Sequence, residues 1–334
     1  MTSLMNTTPP RFEDIVAAAG RLEGYAVRTP LLEAPLLNAK LGGRLLVKPE
    51  MLQKTGSFKF RGAFNRLSLI PEGQRAAGVV AYSSGNHAQG VACAAAMLGL
   101  KATIIMPADA PAIKIANTRA YGAEVITYDR FGESREEIGA RIATERGATI
   151  VRPYDDAGVI AGQGTIGLEI AAQAAELGAT LDAVLVCCGG GGLVSGTALA
   201  LSQRAPGVPV YAVEPAGFDD TARSLESGSR IANDMSNRSI CDALLAEKPG
   251  EITFALNSVL LKGGLVVSDA EAQIGMATAF RYLKLVAELG GAVALAAAIT
   301  GKIDLTGKTV AVVCSGGNVD QATFEAALKA AGEV

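Results

Sequence analysis

Short β-branched runs alternate with Ala- and Gly-rich helical stretches along almost the whole chain, and this alternation is what most restricts its fold. A strand, a helix and a further strand close most readily as a parallel βαβ unit, so an α/β protein with two open, mostly parallel sheets and flanking helices is expected. The strand candidates are Leu45 to Lys48, Val79 to Tyr82, Thr103 to Met106, Glu124 to Tyr128, Ala183 to Cys188, Val210 to Val213 and Thr309 to Cys314. After the first of them, Phe60, Ala63, Phe64 and Leu67 recur at i, i+3, i+4 and i+7, which predicts a helix with one buried face and Ser57 as its N-cap. Ala-rich segments at 88–98, 168–177, 191–203, 270–288 and 291–300 have the same helical character. No low-complexity linker or fixed-period repeat divides the chain. The stretch 78–154 reads as a small α/β domain inserted in a large one made of 1–77 and 155–334, with the cleft between them as the ligand site.

Charge narrows the partners. Thirty Lys and Arg face 33 Asp and Glu, for a net charge of −3, and no basic block is present to follow a phosphate backbone or an anionic bilayer. Neither nucleic acid nor membrane is expected as a partner. The most apolar stretches, such as Gly290 to Gly301, are too short and too small-residue-rich to span a bilayer, and Met1 to Arg11 lacks the apolar core of a secretory signal. A cytoplasmic location follows as the expectation. The five cysteines (Cys93, Cys187, Cys188, Cys241, Cys314) lie among apolar neighbours and read as buried, reduced thiols. The single histidine, His87, excludes a multi-histidine metal site.

Four segments carry chemistry. Gly189, Gly190, Gly191 and Gly192 follow a strand and open a helix, where unobstructed N–H groups at a positive helix end can seat a phosphate. Four glycines exceed what a tight turn needs, and the spacing matches neither G-x-G-x-x-G nor a P-loop. Lys59 begins a helix between Phe58 and Phe60. Partial burial there disfavours its charged form, and a neutral amine is what a Schiff base with a carbonyl cofactor requires, although a lysine snorkelling past two aromatics would look the same. Ser83-Ser84-Gly85-Asn86-His87-Ala88-Gln89-Gly90 closes a strand and begins a helix, so its N–H groups and hydroxyls can hold a carboxylate or simply cap the helix. Cys314-Ser315-Gly316-Gly317-Asn318-Val319-Asp320 repeats that design after the last strand. Polar Gly-rich turns at three strand ends converge on one sheet edge, the usual ligand crevice of open α/β folds.

These segments, with Ile160-Ala161-Gly162-Gln163-Gly164-Thr165, occur in an order that resembles the pyridoxal-phosphate enzymes of fold type II, the tryptophan synthase β-like group. Within it the chain is similar to threonine/serine dehydratases, serine racemase and 3-hydroxyaspartate dehydratases. The resemblance implies that Lys59 carries the cofactor as a Schiff base and shuttles the Cα proton, with Phe58 beside the ring. It implies further that Asn86 bonds the phenolic oxygen, that Gly189 to Gly192 and Leu193 hold the phosphate, and that Ser315 faces the pyridine nitrogen. A serine hydroxyl cannot keep that nitrogen protonated as a carboxylate would, which favours β-elimination over transamination. Ser83, Ser84, Asn86 and His87 would bind the substrate α-carboxylate.

The resemblance also bears on subfamily. Ser84 stands where serine racemase carries its opposite-face serine, though it could act only as a cap. Glu214, the Phe218 carbonyl and Asp220 resemble that enzyme's divalent-metal site, and oxygen-only ligation suits Mg²⁺ or Ca²⁺; an acidic start of the helix beginning near Thr221 is the plainer reading. Arg135 lies where serine racemase places an arginine at the substrate mouth, and a guanidinium there would favour a β-carboxylated substrate. Glu288-Leu289-Gly290 departs from the Glu-Pro or Glu-Gly usual in the family, and Tyr154-Asp155-Asp156 takes the dehydratase-like form. No regulatory domain is expected after Asp320. The expectation is thus an ammonia-lyase acting on L-threonine or L-serine, with 3-hydroxyaspartate elimination or serine racemisation as the alternatives and a homodimer or homotetramer as the assembly. A nucleotide-binding or sensor protein without chemistry is the rival of another class.

Overall fold

A computed structural model describes residues 8–83, 85–110, 112–129 and 132–332. Its strands are β1 (Arg44–Pro49), β2 (Val79–Tyr82), β3 (Ala102–Pro107), β4 (Glu124–Tyr128), β5 (Thr149–Ile150), β6 (Ala183–Cys187), β7 (Val210–Pro215), β8 (Gly263–Val267) and β9 (Thr309–Cys314). They form a five-stranded sheet in the order β1-β9-β6-β7-β8 and a four-stranded one in the order β4-β3-β2-β5. Every strand pairing in both sheets is parallel. All seven expected strands form, and β5 and β8 add to them. β5 has two residues, and β8 begins with Gly263-Gly264, so neither carries the β-branched density that marks a strand in sequence.

Because strand side chains alternate, β9 serves two cores. Val310, Val312 and Cys314 pack with Val47 and Leu185 under the helix Leu289–Ile299, whereas Ala311 and Val313 pack on the other face with Val184, Val186 and Leu201. Strands buried on both faces need unbroken apolar runs, as in Thr309-Val-Ala-Val-Val-Cys314. Two helices beneath that second face, Ala157–Glu176 and Gly192–Arg204, approach closely at glycines: a Cβ on Gly196 would lie 2.4 Å from the Ile160 carbonyl oxygen. All five cysteines are buried and unpaired. Among the described residues no helix is long and apolar enough to cross a membrane.

Two helix expectations need correction. The stretch 270–288 is not one helix: Asp269–Thr278 passes into a π turn at Ala279–Leu283, and Lys284 at φ +60° ends it. That break leaves Glu288 at the N-cap position of the next helix. Nor is Ser57 the N-cap of Lys59–Ser68, since that position is Phe58 and no side chain caps it. Ser57 pairs antiparallel with Gly316, so its backbone ties the helix start to the end of β9.

Candidate active site

Lys59 is the first residue of the helix Lys59–Ser68, and backbone bonds fix its place: Phe58 N–H donates to the Ser315 carbonyl at 3.1 Å and Gly317 N–H to the Gly56 carbonyl at 3.0 Å. Its Nζ donates to the Pro153 carbonyl at 2.7 Å and lies 5.0 Å from the centroid of the Phe58 ring. Burial lowers its pKa to about 8, partly offset by the attraction of Glu288. A measurable fraction of this lysine is therefore neutral near pH 7.

Glu288 stands at the N-cap position of the helix Leu289–Ile299 without capping it, its own N–H donating to the Gly316 carbonyl at 3.0 Å. Burial, reinforced by Asp242, raises its carboxyl to about 7. Its Oε1 accepts from Asn86 Nδ2 at 2.6 Å, and Asn86 Oδ1 accepts from Asn318 Nδ2 at 2.8 Å. The same Asn318 nitrogen donates to the Thr55 carbonyl at 2.8 Å. One hydrogen-bonded chain thus joins the lysine loop, the start of the helix Asn86–Leu98 and the turn after β9. A Cβ on Gly316 would fall 2.2 Å from Glu288 Oε1, which explains glycine there better than any backbone angle.

His87 is buried, with Nε2 3.0 Å from the Val151 carbonyl. A carbonyl only accepts, so Nε2 carries the proton, and the partnerless Nδ1 presents a lone pair. Burial and the nearby Lys59 charge push its pKa down to about 3, so the ring is neutral. Ser83 is half-buried and its hydroxyl accepts from Gly85 N–H at 3.2 Å. Ser84 lies outside the described residues.

The glycine run turns β6 into the helix Gly192–Arg204, with Gly191 at φ +91° and no side chain capping the helix. Thr253 Oγ1 donates to the Gly190 carbonyl and Ser195 Oγ to the Gly191 carbonyl, each at 2.8 Å, bracing the loop through its oxygens. Gly190 has no room for a side chain because a Cβ would sit 2.4 Å from the Tyr154 ring. Asn257 is fully buried with Nδ2 unpartnered, 2.9 Å from where a Gly191 Cβ would be. Uncapped helix N–H groups and an orphan buried amide are donors in search of an anion, which fits a phosphate. Leu193 buries its side chain in the core, leaving its backbone for such a role. Ser315 is buried beside the Cys187 thiol, and its N–H donates to the Gly291 carbonyl at 3.1 Å.

The remaining expected residues lie further out. Arg135 opens the helix Arg135–Arg146, pairs with Glu136 at 2.8 Å and stacks its guanidinium 5.5 Å from the Tyr82 ring centroid. Glu214 and Asp220 are fully buried at the start of the helix Asp220–Ser227, next to buried Phe218. Glu214 accepts from the N–H groups of Thr221 at 3.0 Å and Ala222 at 2.8 Å, while Asp220 accepts from Asn233 Nδ2 at 2.6 Å and leaves Oδ2 unpartnered. Burial raises Glu214 to about 8, with Asp220 adding to the rise, and raises Asp220 to about 6. Among the described residues no group of three or more His, Cys, Asp or Glu side chains forms a metal cage.

Sequence reasoning missed Asn257, Thr253, Lys114 and Asp242. Asn257 and Thr253 sit in an unremarkable amphipathic helix, Glu251–Leu260, docked by Asp155 against its first N–H groups, and no local pattern marks them. Lys114 and Asp242 pair at 2.8 Å across a cavity of about 480 Å³ that also exposes Glu288 and Asn318.

Lys59, bonded to the Pro153 carbonyl, and the glycine run, packed on the adjoining Tyr154, meet at one segment, and a buried lysine with a glycine-rich anion seat is what pyridoxal-phosphate chemistry needs. Residues 22–316 match the model of the pyridoxal-phosphate dependent enzyme family, and the chain belongs to that family, with pyridoxal phosphate as its cofactor. It is 45% identical over 318 residues to an L-threo-3-hydroxyaspartate ammonia-lyase from Pseudomonas sp, covering 95% of this chain and 98% of that protein. A serine racemase from Schizosaccharomyces pombe is 41% identical, over 94% of this chain and 96% of its own. Among solved structures, a serine racemase from maize is 35% identical with a TM-score of 0.90, covering 96% of this chain and 98% of that one.

Proposed function

We propose that this protein eliminates water from a β-hydroxy amino acid, 3-hydroxyaspartate ahead of serine or threonine, giving a 2-oxo acid and ammonia. The observation that carries the elimination is the buried Lys59, its Nζ on the Pro153 carbonyl and its charge felt by Glu288 at the end of the Glu288–Asn86–Asn318 chain. Bound there, pyridoxal phosphate supplies the electron sink that acidifies the substrate Cα–H. Lys59 holds the cofactor aldehyde at rest and takes the Cα proton in turnover. Phe58 would pack beside the cofactor ring, Asn86 would bond its phenolic oxygen, and Ser315 would face its nitrogen. The N–H groups from Gly189 through Gly192 and of Leu193 would hold its phosphate, with the unpartnered Asn257 amide behind them.

Ser83, Ser84, Asn86 and His87 receive the α-carboxylate, His87 through its backbone N–H because its neutral ring presents only the Nδ1 lone pair. Ser84, where the resemblance to serine racemase puts the opposite-face acid, would allow racemisation to accompany elimination. Arg135, on the Tyr82 ring near Tyr154, supports an acidic side chain, and so does the relative from Pseudomonas sp named for 3-hydroxyaspartate. Asp220 Oδ2 and the two raised carboxylates support a Mg²⁺ or Ca²⁺ held by Glu214, the Phe218 carbonyl and Asp220, since a cation would satisfy the orphan oxygen and relieve the buried pair. We read 78–154 as the small domain closing on the large one, the assembly as a homodimer or homotetramer, and the location as cytoplasmic.

The test is ammonia and 2-oxo acid release from L-threo-3-hydroxyaspartate, serine and threonine by the purified yellow enzyme. Preference for threonine over 3-hydroxyaspartate would return the protein to an ordinary threonine/serine dehydratase.

A further inference from the structure

The Lys114–Asp242 pair joins the helix Ala112–Ala120, which packs beside the four-stranded sheet, to a 3-10 turn, Asp242–Leu244, on the side of the five-stranded sheet. Its two halves are unequal. The Lys114 side chain is 14% exposed and the Asp242 side chain 62%. A lysine that has given up most of its water needs a counter-anion, whereas an exposed aspartate on an irregular segment can leave at little cost.

The position bears on substrate. Lys114 Nζ lies 3.7 Å from where a Cβ on Gly85 would be, next to Asn86, and shares the 480 Å³ cavity with Glu288 and Asn318. Those two bond Asn86 directly, and Glu288 feels the charges of both Lys114 and Lys59, so the Lys114 end of the cavity lies beside the site around Lys59.

We propose that Lys114 is the specificity residue for an acidic substrate side chain: the β-carboxylate of a dicarboxylic β-hydroxy amino acid takes the place that Asp242 fills in its absence. Exchange of one carboxylate for another keeps the mostly covered ammonium paired, so the acidic substrate enters without a net charge penalty. A serine or threonine side chain has no anion to offer and leaves the Lys114–Asp242 pair closed. Arg135 is a weaker candidate for the same task, being half-exposed and paired with an equally exposed Glu136. The proposal rests on the acidic-substrate reading above and names the group that enforces it.

The experiment compares kcat/KM for L-threo-3-hydroxyaspartate and L-serine in the holoenzyme and in Lys114→Met, Lys114→Arg and Asp242→Asn. A charge-assisted contact is lost in Lys114→Met, so the ratio of the two constants should fall roughly 10- to 100-fold, chiefly through KM. Lys114→Arg should restore part of it, and Asp242→Asn should raise it by removing the competing anion. If the wild type prefers the acidic substrate and Lys114→Met leaves the ratio unchanged, the inference is overturned while the acidic-substrate reading stands. An equal loss on both substrates would likewise overturn it, marking the pair as a latch between the two sheets. If the wild type does not turn over 3-hydroxyaspartate at all, that reading fails, and binding of L-aspartate against L-alanine, read from the visible absorbance of the cofactor, decides the role of Lys114. Tighter aspartate binding that Lys114→Met erases would sustain the inference; no preference in the wild type would end it.

Discussion

Behind the lysine lies a buried ion network whose disruption can be worked out in advance. Arg61, two residues after Lys59, is 1% exposed and donates to both oxygens of Glu50, at 2.8 Å each, and to both oxygens of Glu169, at 2.6 and 3.0 Å. Lys48, also buried, bonds Glu169 at 2.5 Å and the Thr29 carbonyl at 2.6 Å. Two cations and two anions cancel, so the network carries no net charge. Arg61→Met strands Glu50, which is fully buried and keeps only the Thr29 hydroxyl at 2.6 Å among these partners. Leaving one member of a buried pair uncompensated costs about 3–5 kcal/mol, a large share of the roughly 5–15 kcal/mol that holds a domain together. The sign with pH is fixed as well. In the wild type burial would raise the Glu50 carboxyl, but Arg61 and Lys48 outweigh it and hold the group below the ordinary range. Its contribution is therefore present above the unfolded pKa of about 4.3 and is lost as pH falls through the lower folded value. Without Arg61 only Lys48 and the Thr29 hydroxyl still act against burial, the folded pKa rises, and the variant loses stability as pH climbs from about 4.3 through that raised value. Urea unfolding of the holoenzyme at pH 5 and pH 8 should show a gap between wild type and Arg61→Met that widens with pH, and Arg61→Met with Glu50→Gln should recover part of it. A gap that ignores pH, with no recovery in the double variant, would refute the charge argument and leave only lost packing.

Four shorter predictions follow from the site. Cofactor uptake by the apoenzyme needs a neutral Lys59, so its rate should rise with pH and level off above about 8; a rise that continues toward pH 10 would mean an ordinary exposed lysine. Lys59→Ala should abolish both the visible absorbance and turnover, and borohydride trapping followed by peptide mapping to another lysine would show that the wrong residue was named. Ser84→Ala should spare elimination from the L-substrate and remove racemisation or action on the D-substrate, whereas parallel loss of both would make Ser84 a binding residue. Chelation should lower thermal stability, with Mg²⁺ or Ca²⁺ restoring it, because Glu214 and Asp220 share one buried site; indifference, with no metal by elemental analysis, would return these carboxylates to capping the helix Asp220–Ser227.

The parts of this protein legible in its sequence are those specified by local chemistry. Parallel strands buried on both faces require runs such as Val310 to Val313, and anion-seating helix starts require Gly189 to Gly192, so both can be recognised without a structure. What escaped recognition depends on contacts between distant segments. Ser57 has the right type and spacing for a cap, yet its pairing with Gly316, more than 250 positions away, overrides the local preference. The helical pattern through 270–288 is genuine as far as Thr278, and only packing against the next helix shows why the chain must break there and deliver Glu288. Asn257 and Lys114 have no local signature, because an unpartnered amide and a cross-cleft ion pair exist only after folding.

The two buried charge systems divide the work of the helix Lys59–Ser68. On its inner side Arg61 is locked by four carboxylate contacts into a neutral quartet, which fixes the start of the helix. On its outer side Lys59 and Glu288 have pKa values of about 8 and about 7, displaced toward each other by burial, so a proton can reside on either near neutral pH. Had the two systems been merged, the Glu50 and Glu169 carboxylates beside Lys59 would have favoured its ammonium form and lowered its nucleophilicity. With Phe58 against the lysine and Gly316 leaving room for Glu288, the anchor stays ionised and the reactive amine is free to lose its proton.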